Sequence, residues 1–236
     1  MTRSQTSLGS QSLEKVAVFR GLSADTQTRI QRRCSWRRYE AGEPIGDFLD
    51  PSDDVFFIVA GHARVSIYSL AGKAVTFCDL GPGDMFGEYA AIDSSPRSAG
   101  IEARTSCHVA SMSGAAFREL LQSEPAVTLA LLRQFVTKIR ALTTRVYEFS
   151  ALAVNNRIQA ELLRLARLAP LEGKLARIGG APTHAEIASR ISTHREAVTR
   201  ELNRLTRLGI IERQGGALLV KDVGRLAAMV HEVTGE

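Results

Sequence analysis

Residues 86–99 read Phe-Gly-Glu-Tyr-Ala-Ala-Ile-Asp-Ser-Ser-Pro-Arg-Ser-Ala, and the interpretation of the whole chain starts from them. The stretch combines a glycine turn, the carboxylate of Glu88, a short apolar helix and the guanidinium of Arg97. Amide groups at a helix N-terminus and a guanidinium together bind phosphate. A carboxylate instead accepts a hydrogen bond from a sugar hydroxyl. The pattern therefore suits a sugar phosphate with one free hydroxyl; the alternative is that Glu88 and Arg97 simply pair with each other.

The sequence on both sides of this stretch is typical of short β-strands. Between residues 39 and 112, glycine or proline recurs every few residues, and apolar runs such as 55–59 and 63–68 lie between them. Short strands at even spacing predict an antiparallel sandwich, barrel or jelly roll. The step from Ala71 to Gly72 predicts a hairpin turn between two of the strands. Short helical stretches are expected before this region, from residue 13 to residue 36.

Residues 125–150 contain no glycine and no internal proline, which predicts one long helix. Its apolar residues are spaced alternately three and four apart, the heptad pattern of paired helices. These residues are Leu132, Phe135, Ile139, Leu142, Val146 and Phe149. We therefore expect a homodimer through this helix. The alternative is a single amphipathic helix that lies on its own domain.

The C-terminal part of the chain predicts a helix-turn-helix. Residues 183–186 have the form of a capping box, with threonine at the N-cap and glutamate three residues later, and residues 193–196 repeat it. Two short helices joined by a tight turn make the helix-turn-helix unit. Apolar runs on both sides of Gly215 and Gly216 predict a hairpin after it. The whole element is therefore expected to be a winged helix-turn-helix.

The second helix of this unit is expected to read DNA. At about 100° per residue, Glu196, Thr199 and Arg200 point away from its apolar stripe, and Arg195 lies on the flank. Arginine makes paired hydrogen bonds to guanine, and glutamate accepts from the cytosine amino group. We therefore predict that these four residues contact the major groove. The alternatives are a capping role alone for Glu196 and a solvated surface for the arginines.

Composition is consistent with this interpretation and excludes several classes of protein. The chain has 236 residues, of which 44% are hydrophobic and 23% charged, as in ordinary globular proteins. Of the net charge of +5, +4 falls on residues 151–236, a weak indication of nucleic-acid contact. No run of about 18 apolar residues occurs, and residues 1–10 lack the apolar core of a secretory signal. We therefore expect a cytoplasmic protein that makes no contact with membranes.

The stretch 86–99 resembles the phosphate-binding cassette of cyclic-nucleotide-binding domains. The surrounding sequence agrees in residues 39–43 (Tyr-Glu-Ala-Gly-Glu), 56–61 (Phe-Phe-Ile-Val-Ala-Gly) and 80–88 (Leu-Gly-Pro-Gly-Asp-Met-Phe-Gly-Glu). With the long helix and the winged helix-turn-helix that follow, the chain resembles bacterial transcription regulators of the CRP/FNR superfamily. The resemblance covers nearly everything after about Leu13 and is closest to the cyclic AMP receptor branch.

This resemblance implies an α+β fold with a defined order of domains. A flexible tail at 1–12 is followed at 13–124 by an antiparallel, jelly-roll-like β-roll that binds a cyclic nucleotide. A dimerisation helix occupies 125–150, and a winged helix-turn-helix domain that binds DNA occupies 151–236.

The resemblance also implies a role for each residue that matches the cassette. Gly87 lets the backbone approach the ligand, and Glu88 accepts a hydrogen bond from the ribose 2′-hydroxyl. Arg97 holds the cyclic phosphate together with the backbone amides of Ala90 and Ser98. The Ser98 hydroxyl is a further candidate contact to phosphate or base.

Two further groups of residues are implied outside the cassette. Thr143, with Thr144 as the neighbouring candidate, is implied to contact the base from the long helix. Arg195, Glu196 and Arg200 resemble the triad that reads a TGTGA-type half-site. The implied partners are double-stranded DNA and a second copy of the chain, with RNA polymerase as a further candidate.

The identity of the ligand is left open between two nucleotides. Cyclic AMP is preferred, but a hydroxyl residue after Arg97 also suits the guanine of cyclic GMP. A family member that binds DNA without a nucleotide, or senses another effector, is the alternative within the superfamily. An iron–sulfur sensor would need clustered cysteines, and Cys34, Cys78 and Cys107 lie far apart. We expect no metal and no enzymatic activity.

Overall fold

The computed structural model describes residues 12–68 and 74–234 and divides the chain into two compact units, 1–138 and 139–236. The first unit contains most of the strands, and the second contains helices and a small sheet. The α+β fold class predicted from the sequence is thereby confirmed. The predicted tail, apart from Ser12, and the predicted turn at Ala71–Gly72 lie outside the described residues.

Two four-stranded antiparallel sheets form the first unit. Their strands are β1 Ser35–Tyr39, β2 Pro44–Gly46, β3 Val55–Ala60, β4 Ala63–Tyr68, β5 Ala74–Leu80, β6 Met85–Phe86, β7 Gly100–Ala103 and β8 Cys107–Met112. One sheet has the order β1-β8-β3-β6 and the other β2-β7-β4-β5. The first strand starts at Ser35, earlier than the predicted strand region, and it is an edge strand in which Ser35, Arg37 and Arg38 are exposed, so it lacks the apolar run used to predict strands.

The alternation of side chains along β3 divides the interior of this unit into two clusters. Ile58 packs with Ile101 and Val109 in a cluster drawn from strands of both sheets. Phe57, which points the other way, packs against residues of the short helices, and its ring centroid lies 5.0 Å from that of Phe19. These helices are a 3₁₀ turn Ala17–Phe19, α1 Ala24–Gln31, α2 Glu88–Asp93 and α3 Gly114–Ser123. The helix α2 carries the first part of the cassette.

The predicted long helix is α4, Pro125–Ala151, and it runs through the boundary between the two units. A line of its apolar side chains is 50–65% exposed: Leu129, Leu132, Val136, Ile139 and Val146. The placement of Phe135 in the seam was wrong, because Phe135 packs on the core of its own unit and against the ring of Tyr89. The exposed line keeps the spacing of three and four and passes through Thr143. None of the described helices is long and apolar enough to cross a bilayer.

The second unit combines helices with a four-stranded sheet. Its elements after α4 are α5 Val154–Leu168, β9 Leu171–Glu172, β10 Leu175–Ile178, α6 His184–Arg190, α7 Arg195–Arg207, β11 Ile211–Gln214, β12 Ala217–Val220 and α8 Val223–Thr234. The sheet order is β11-β12-β10-β9, so the predicted hairpin is joined by a second, short one. Gly215 and Gly216 both have positive φ, 54° and 79°, as a two-residue hairpin turn of type I′ requires.

The capping boxes predicted for the helix-turn-helix have different outcomes. The one at Thr183 is confirmed, because its hydroxyl accepts from the amide of Glu186 and the Glu186 carboxylate accepts from the amide of Thr183. The one at Thr193 was wrong. The amide of Thr193 donates to the carbonyl of Ala188, so this residue closes the end of α6, and the N-cap of α7 is His194.

A buried group of charges ties the last turns of α4 to α5 and α6. Glu161 is 1% exposed, and its carboxylate lies 3.2 Å from Arg145 and 3.7 Å from Arg190. Arg164 reaches back to Glu148 of α4 at 2.9 Å. Because each carboxylate has a guanidinium partner, the desolvation of these charges is offset within the cluster. The helix-turn-helix is thereby fixed to the C-terminal end of the long helix.

Candidate nucleotide site and nucleic-acid interface

Gly87 sits at the start of α2 in a conformation that favours glycine. Its φ is 86°, in the left-handed region. A Cβ built there would collide with Arg97 Nη1 and lie 2.5 Å from the carbonyl oxygen of Asp54. The absence of a side chain at Gly87 therefore allows both the turn and the close approach of the Arg97 guanidinium.

The guanidinium of Arg97 is held under the surface of the cassette. The residue is 5% exposed. Its Nε and Nη2 donate to the hydroxyl oxygen of Ser52 at 3.2 and 3.0 Å, and its Nη1 donates to the carbonyl oxygen of Gly87 at 3.3 Å. The group also lies 5.3 Å from the centre of the Phe56 ring. These contacts fix its position with neutral acceptors, and among the described residues no carboxylate is hydrogen-bonded to the guanidinium.

Burial has the largest effect on the pKa of this guanidinium. Burial lowers the pKa of Arg97, and four carboxylates partly offset this effect: Asp54, Asp50, Asp53 and Glu88. The side chain remains charged, since arginine does not lose its proton in proteins. A buried cation of this kind is a strong attractor for a phosphate group.

Glu88, the carboxylate of the cassette, is paired with a residue that the sequence analysis missed. It is 3% exposed, and its Oε1 accepts from Lys138 Nζ of α4 at 2.7 Å. Burial disfavours the charged form of Lys138, but Glu88 outweighs it and raises the pKa of the ammonium. The ammonium also lies 5.3 Å from the centre of the Tyr89 ring. Lys138 is the only lysine of the long helix, and that was the sole signal in the sequence.

The alternative that Glu88 and Arg97 simply pair with each other is wrong. Among the described residues, the ion pair of Glu88 is with Lys138, and no ion pair joins it to Arg97. The cassette therefore presents a buried cation and a buried carboxylate that are held separately. One suits an anionic group and the other a hydroxyl, which are the two polar functions of a ribose cyclic phosphate.

The remaining predicted ligand residues lie in two places. Ala90 is buried in α2 and Ser98 is exposed just after Arg97. Thr143 and Thr144 are exposed on α4, and their hydroxyls donate to the carbonyls four residues earlier, at 3.0 and 3.2 Å. Both hydroxyls retain lone pairs that can accept a hydrogen bond.

The residues predicted to read DNA lie on α7. Arg195, Glu196 and Arg200 are exposed, while Val198, Leu202 and Leu205 on the opposite side are buried in the core. Thr199 differs from the prediction because it is half-buried. Its hydroxyl donates to the carbonyl of Arg195 at 3.0 Å and lies 2.7 Å from Nδ1 of His184.

Two residues near this face were missed by the sequence analysis. His184, the first residue of α6, faces α7 through its contact with Thr199. Arg213 of β11 is exposed, and its Nη2 donates to the carbonyl oxygen of Pro182 at 3.4 Å. Their place beside α7 results from packing between elements, for which single-sequence periodicity offers no signal.

Two known protein families match the two parts of the chain. The cyclic nucleotide-binding domain family matches residues 36–124, and the Crp-like helix-turn-helix domain family matches residues 156–229. The chain belongs to the CRP/FNR superfamily of transcription regulators. In this CRP/FNR protein, the first match contains the cassette with Gly87, Glu88 and Arg97, and the second contains α6 and α7.

Characterised relatives of this CRP/FNR protein cover most of its length. It is 26% identical over 216 residues to a CRP-like cAMP-activated global transcriptional regulator of Mycobacterium tuberculosis, which covers 91% of this chain and 96% of the relative. It is 29% identical over 200 residues to the cAMP-activated global transcriptional regulator Vfr of Pseudomonas aeruginosa, covering 81% and 92%.

Solved structures share the fold. A mutant of CooA from Carboxydothermus hydrogenoformans matches with a TM-score of 0.74 and 22% identity, covering 86% of this chain and 90% of that one. The c-di-GMP responsive global regulator CLP of Xanthomonas campestris matches with a TM-score of 0.72 and 21% identity, covering 84% and 99%. The chain thus shares its fold with both structures.

Proposed function

We propose that this CRP/FNR protein is a cyclic-AMP-responsive transcription regulator that binds a palindromic DNA site as a homodimer. The observation that carries the proposal is the separation of charges in the cassette. In the described part of the chain, the buried guanidinium of Arg97 has no hydrogen bond to a carboxylate, and the buried carboxylate of Glu88 pairs with Lys138. A cyclic nucleotide supplies a phosphate for the first and a 2′-hydroxyl for the second.

Cyclic AMP is proposed over other nucleotides because the relatives described above are named as cAMP-activated. Cyclic GMP has the same ribose phosphate, so the cassette accommodates either nucleotide, and the base contact decides between them. Thr143 is the proposed partner of the base, with Thr144 as the neighbouring candidate, since the hydroxyls of both are exposed on α4. Both can donate or accept, so calorimetry has to establish the preference.

The ligand proposal is tested by calorimetric titration of the purified protein with cyclic AMP, cyclic GMP and cyclic di-GMP. We expect binding of cyclic AMP at one site per chain. Arg97→Ala should weaken it roughly 10-fold to 150-fold, because a charged hydrogen-bonding partner of the phosphate is lost. Arg37→Ala is the matched control, since Arg37 pairs on the surface with Glu43 and should bind as the wild type does. Unchanged affinity of Arg97→Ala would refute the cassette assignment.

A second candidate, nucleotide-independent DNA binding or response to another effector, has a different outcome in the same assay. The structural relative CLP is described as c-di-GMP responsive, so members of this fold differ in effector. Operator binding that does not change with any of the three nucleotides would favour this candidate. If cyclic di-GMP is the only one of the three that binds tightly, then cyclic di-GMP is the effector.

The homodimer is proposed through the exposed apolar line of α4. Five apolar side chains exposed along one helix are costly in water and match the seam of paired helices. Val136→Lys should therefore dissociate the dimer in sedimentation experiments, since it places a charge in the middle of the seam. The control is Arg133→Lys, an exposed position on the same helix. A dimer that survives Val136→Lys unchanged would contradict this interface.

The dimer is proposed to read DNA with α7 of each protomer. Two identical helices related by a two-fold axis recognise a palindrome, with half-sites about 34 Å apart in successive major grooves. Arg195, Glu196 and Arg200 are the proposed base contacts, because they are exposed together on one face of α7. Nucleotide binding then acts by favouring the dimer state whose α7 helices match this spacing.

Site preference is tested with a duplex carrying a TGTGA-type palindrome and its single-base variants at fixed salt. Glu196→Ala should relax discrimination at one base pair of each half-site, a change of about 1–3 kcal/mol. Asn203→Ala, a more distal exposed position on α7, is the comparison. If Glu196→Ala weakens all duplexes alike, the side chain does not read a base.

A further inference from the structure

Three elements of the helix-turn-helix bring basic groups to one place. His184 begins α6, Arg195 begins α7, and Arg213 lies on β11. His184 and Arg195 meet at Thr199, whose hydroxyl contacts the ring of one and the carbonyl of the other. Arg213 is joined to the residue two before His184, through the carbonyl of Pro182. In the part of the chain that the structure describes, neither arginine has a carboxylate within ion-pair distance.

The two contacts of the Thr199 hydroxyl assign the proton of the His184 ring to one nitrogen. A threonine hydroxyl has one hydrogen, and the Thr199 hydroxyl donates it to the Arg195 carbonyl at 3.0 Å. The hydroxyl oxygen also lies 2.7 Å from Nδ1 of His184, and both contacts are hydrogen bonds at the same time when Nδ1 carries the proton, which is the tautomer we assign. In the neutral ring Nε2 is then a bare acceptor. A phosphate oxygen is also an acceptor and binds only when Nε2 carries a second proton.

The surroundings of the ring favour its neutral form in the free protein. Partial burial lowers the pKa of His184, and the charges of Arg213 and Arg195 lower it further. The nearest carboxylate on its own helix is Glu186, which is occupied at the amide of Thr183. The charged groups that face the ring from the packed elements are thus the two guanidiniums. An anion bound beside the two guanidiniums would instead favour the protonated form of the His184 ring.

We infer that His184 contacts a DNA phosphate in its doubly protonated form, so that binding of each half-site takes up one proton at this ring. The inference rests on the proposed function, because it needs the α7 face to meet DNA. The DNA backbone supplies an anion beside Arg213 that accepts from Nε2–H of His184. His184 therefore binds the DNA backbone and makes the affinity for DNA depend on pH.

The direction of the pH effect follows from linkage. DNA raises the proton affinity of His184, so binding is strengthened as pH falls from the pKa of the complex to the lower pKa of the free protein. Above that window both states are neutral, and below it both are protonated. Each unit of separation between the two pKa values gives about tenfold tighter binding per ring. A dimer with two such rings should gain about 10-fold to 100-fold.

The experiment measures DNA affinity of the full-length protein, saturated with cyclic AMP, from about pH 8 to about pH 5.5. Two duplexes of equal length are used, one with the TGTGA-type palindrome and one scrambled, because a phosphate contact is independent of sequence. His184→Gln keeps a neutral donor towards Thr199 but cannot gain a proton. His62→Gln, at a histidine of the first unit, is the control for titration elsewhere.

We expect the wild type and His62→Gln to gain affinity for both duplexes at low pH, and His184→Gln to lose most of that gain. Proton NMR of the His184 ring should show its pKa rising when duplex is added. Equal pH dependence in the wild type and His184→Gln would overturn the inference and leave the proposed function intact. A loss in His184→Gln that is the same at every pH would show a merely structural role. No binding of either duplex at any pH would overturn the proposed function as well.

Discussion

Replacing Gly87 by alanine should disturb both the stability of the β-roll and its affinity for nucleotide. An alanine at a φ of 86° is strained by about 1–2 kcal/mol. Its Cβ would also lie 2.5 Å from the Asp54 carbonyl, a backbone atom that cannot rotate away. Overpacking of this kind costs roughly 1–3 kcal/mol more. The free energy of unfolding should therefore fall by about 2–5 kcal/mol.

Gly42 provides a matched control for the backbone strain alone. It has the same φ of 86°, but a Cβ built there meets nothing within 4 Å. Gly42→Ala should therefore cost only the strain, about 1–2 kcal/mol. The difference between the two variants, measured as urea midpoints, isolates the close approach at Gly87.

The two variants should differ most in nucleotide binding. The Cβ at position 87 collides with Nη1 of Arg97, so the guanidinium has to leave its place beside Gly87. Loss of a well-placed charged hydrogen bond corresponds to roughly 10-fold to 150-fold weaker binding. Calorimetry with cyclic AMP should show this loss for Gly87→Ala and wild-type affinity for Gly42→Ala. Equal stability and equal affinity of the two variants would refute the argument that Gly87 makes room for Arg97.

Three further predictions follow from single contacts. Lys138→Met should lower the free energy of unfolding in urea by about 1–3 kcal/mol, less than for a fully buried pair because the side chain of Lys138 is 41% exposed. The double variant with Glu88→Gln should recover part of this loss, and a double variant as unstable as the single one would contradict the prediction. Thr143→Ala should weaken cyclic AMP binding about tenfold in calorimetry, whereas Thr144→Ala should not, since of the two only Thr143 lies on the exposed seam. Similar affinities of the two variants would refute the proposed contact between Thr143 and the base. Thr183→Ala should cost about 1 kcal/mol through its lost cap, whereas Thr193→Ala should cost clearly less, and equal costs would mean that Thr193 caps α7 after all.

The features predicted correctly from the sequence are those governed by neighbouring residues. The hairpin at Gly215 and Gly216 needs two residues with positive φ, and glycine satisfies that wherever the chain lies. The capping box at Thr183 closes within four residues. The same pattern at Thr193 failed because the preceding helix used its amide, and the sequence pattern contains no information about that competition.

The error at Phe135 shows the limit of periodicity on a long helix. Spacings of three and four mark two adjacent lines, one through Phe135 and the other through Val136. Only the fold shows that Phe135 packs against the β-roll core and Tyr89, which leaves Val136 exposed. The exposed line keeps Leu132, Ile139 and Val146 of the predicted seam, has Val136 in place of Phe135, and passes through Thr143. The hydroxyl proposed to meet the base is thereby on the face proposed to meet the second protomer.

The pairing of Glu88 could not be derived from the cassette, because its partner lies 50 residues away. Within the cassette the only visible counter-charge was Arg97, nine positions after Glu88, and pairing between them would have neutralised the site. In the structure, Glu88 instead forms an ion pair with Lys138 of α4, and Arg97 donates hydrogen bonds to the Ser52 hydroxyl. The carboxylate keeps a second oxygen for a ligand hydroxyl, and the guanidinium keeps its charge for a phosphate. Since Lys138 belongs to the helix that carries the exposed seam, the hydroxyl proposed to bind Glu88 would share the Glu88 carboxylate with a residue of that helix.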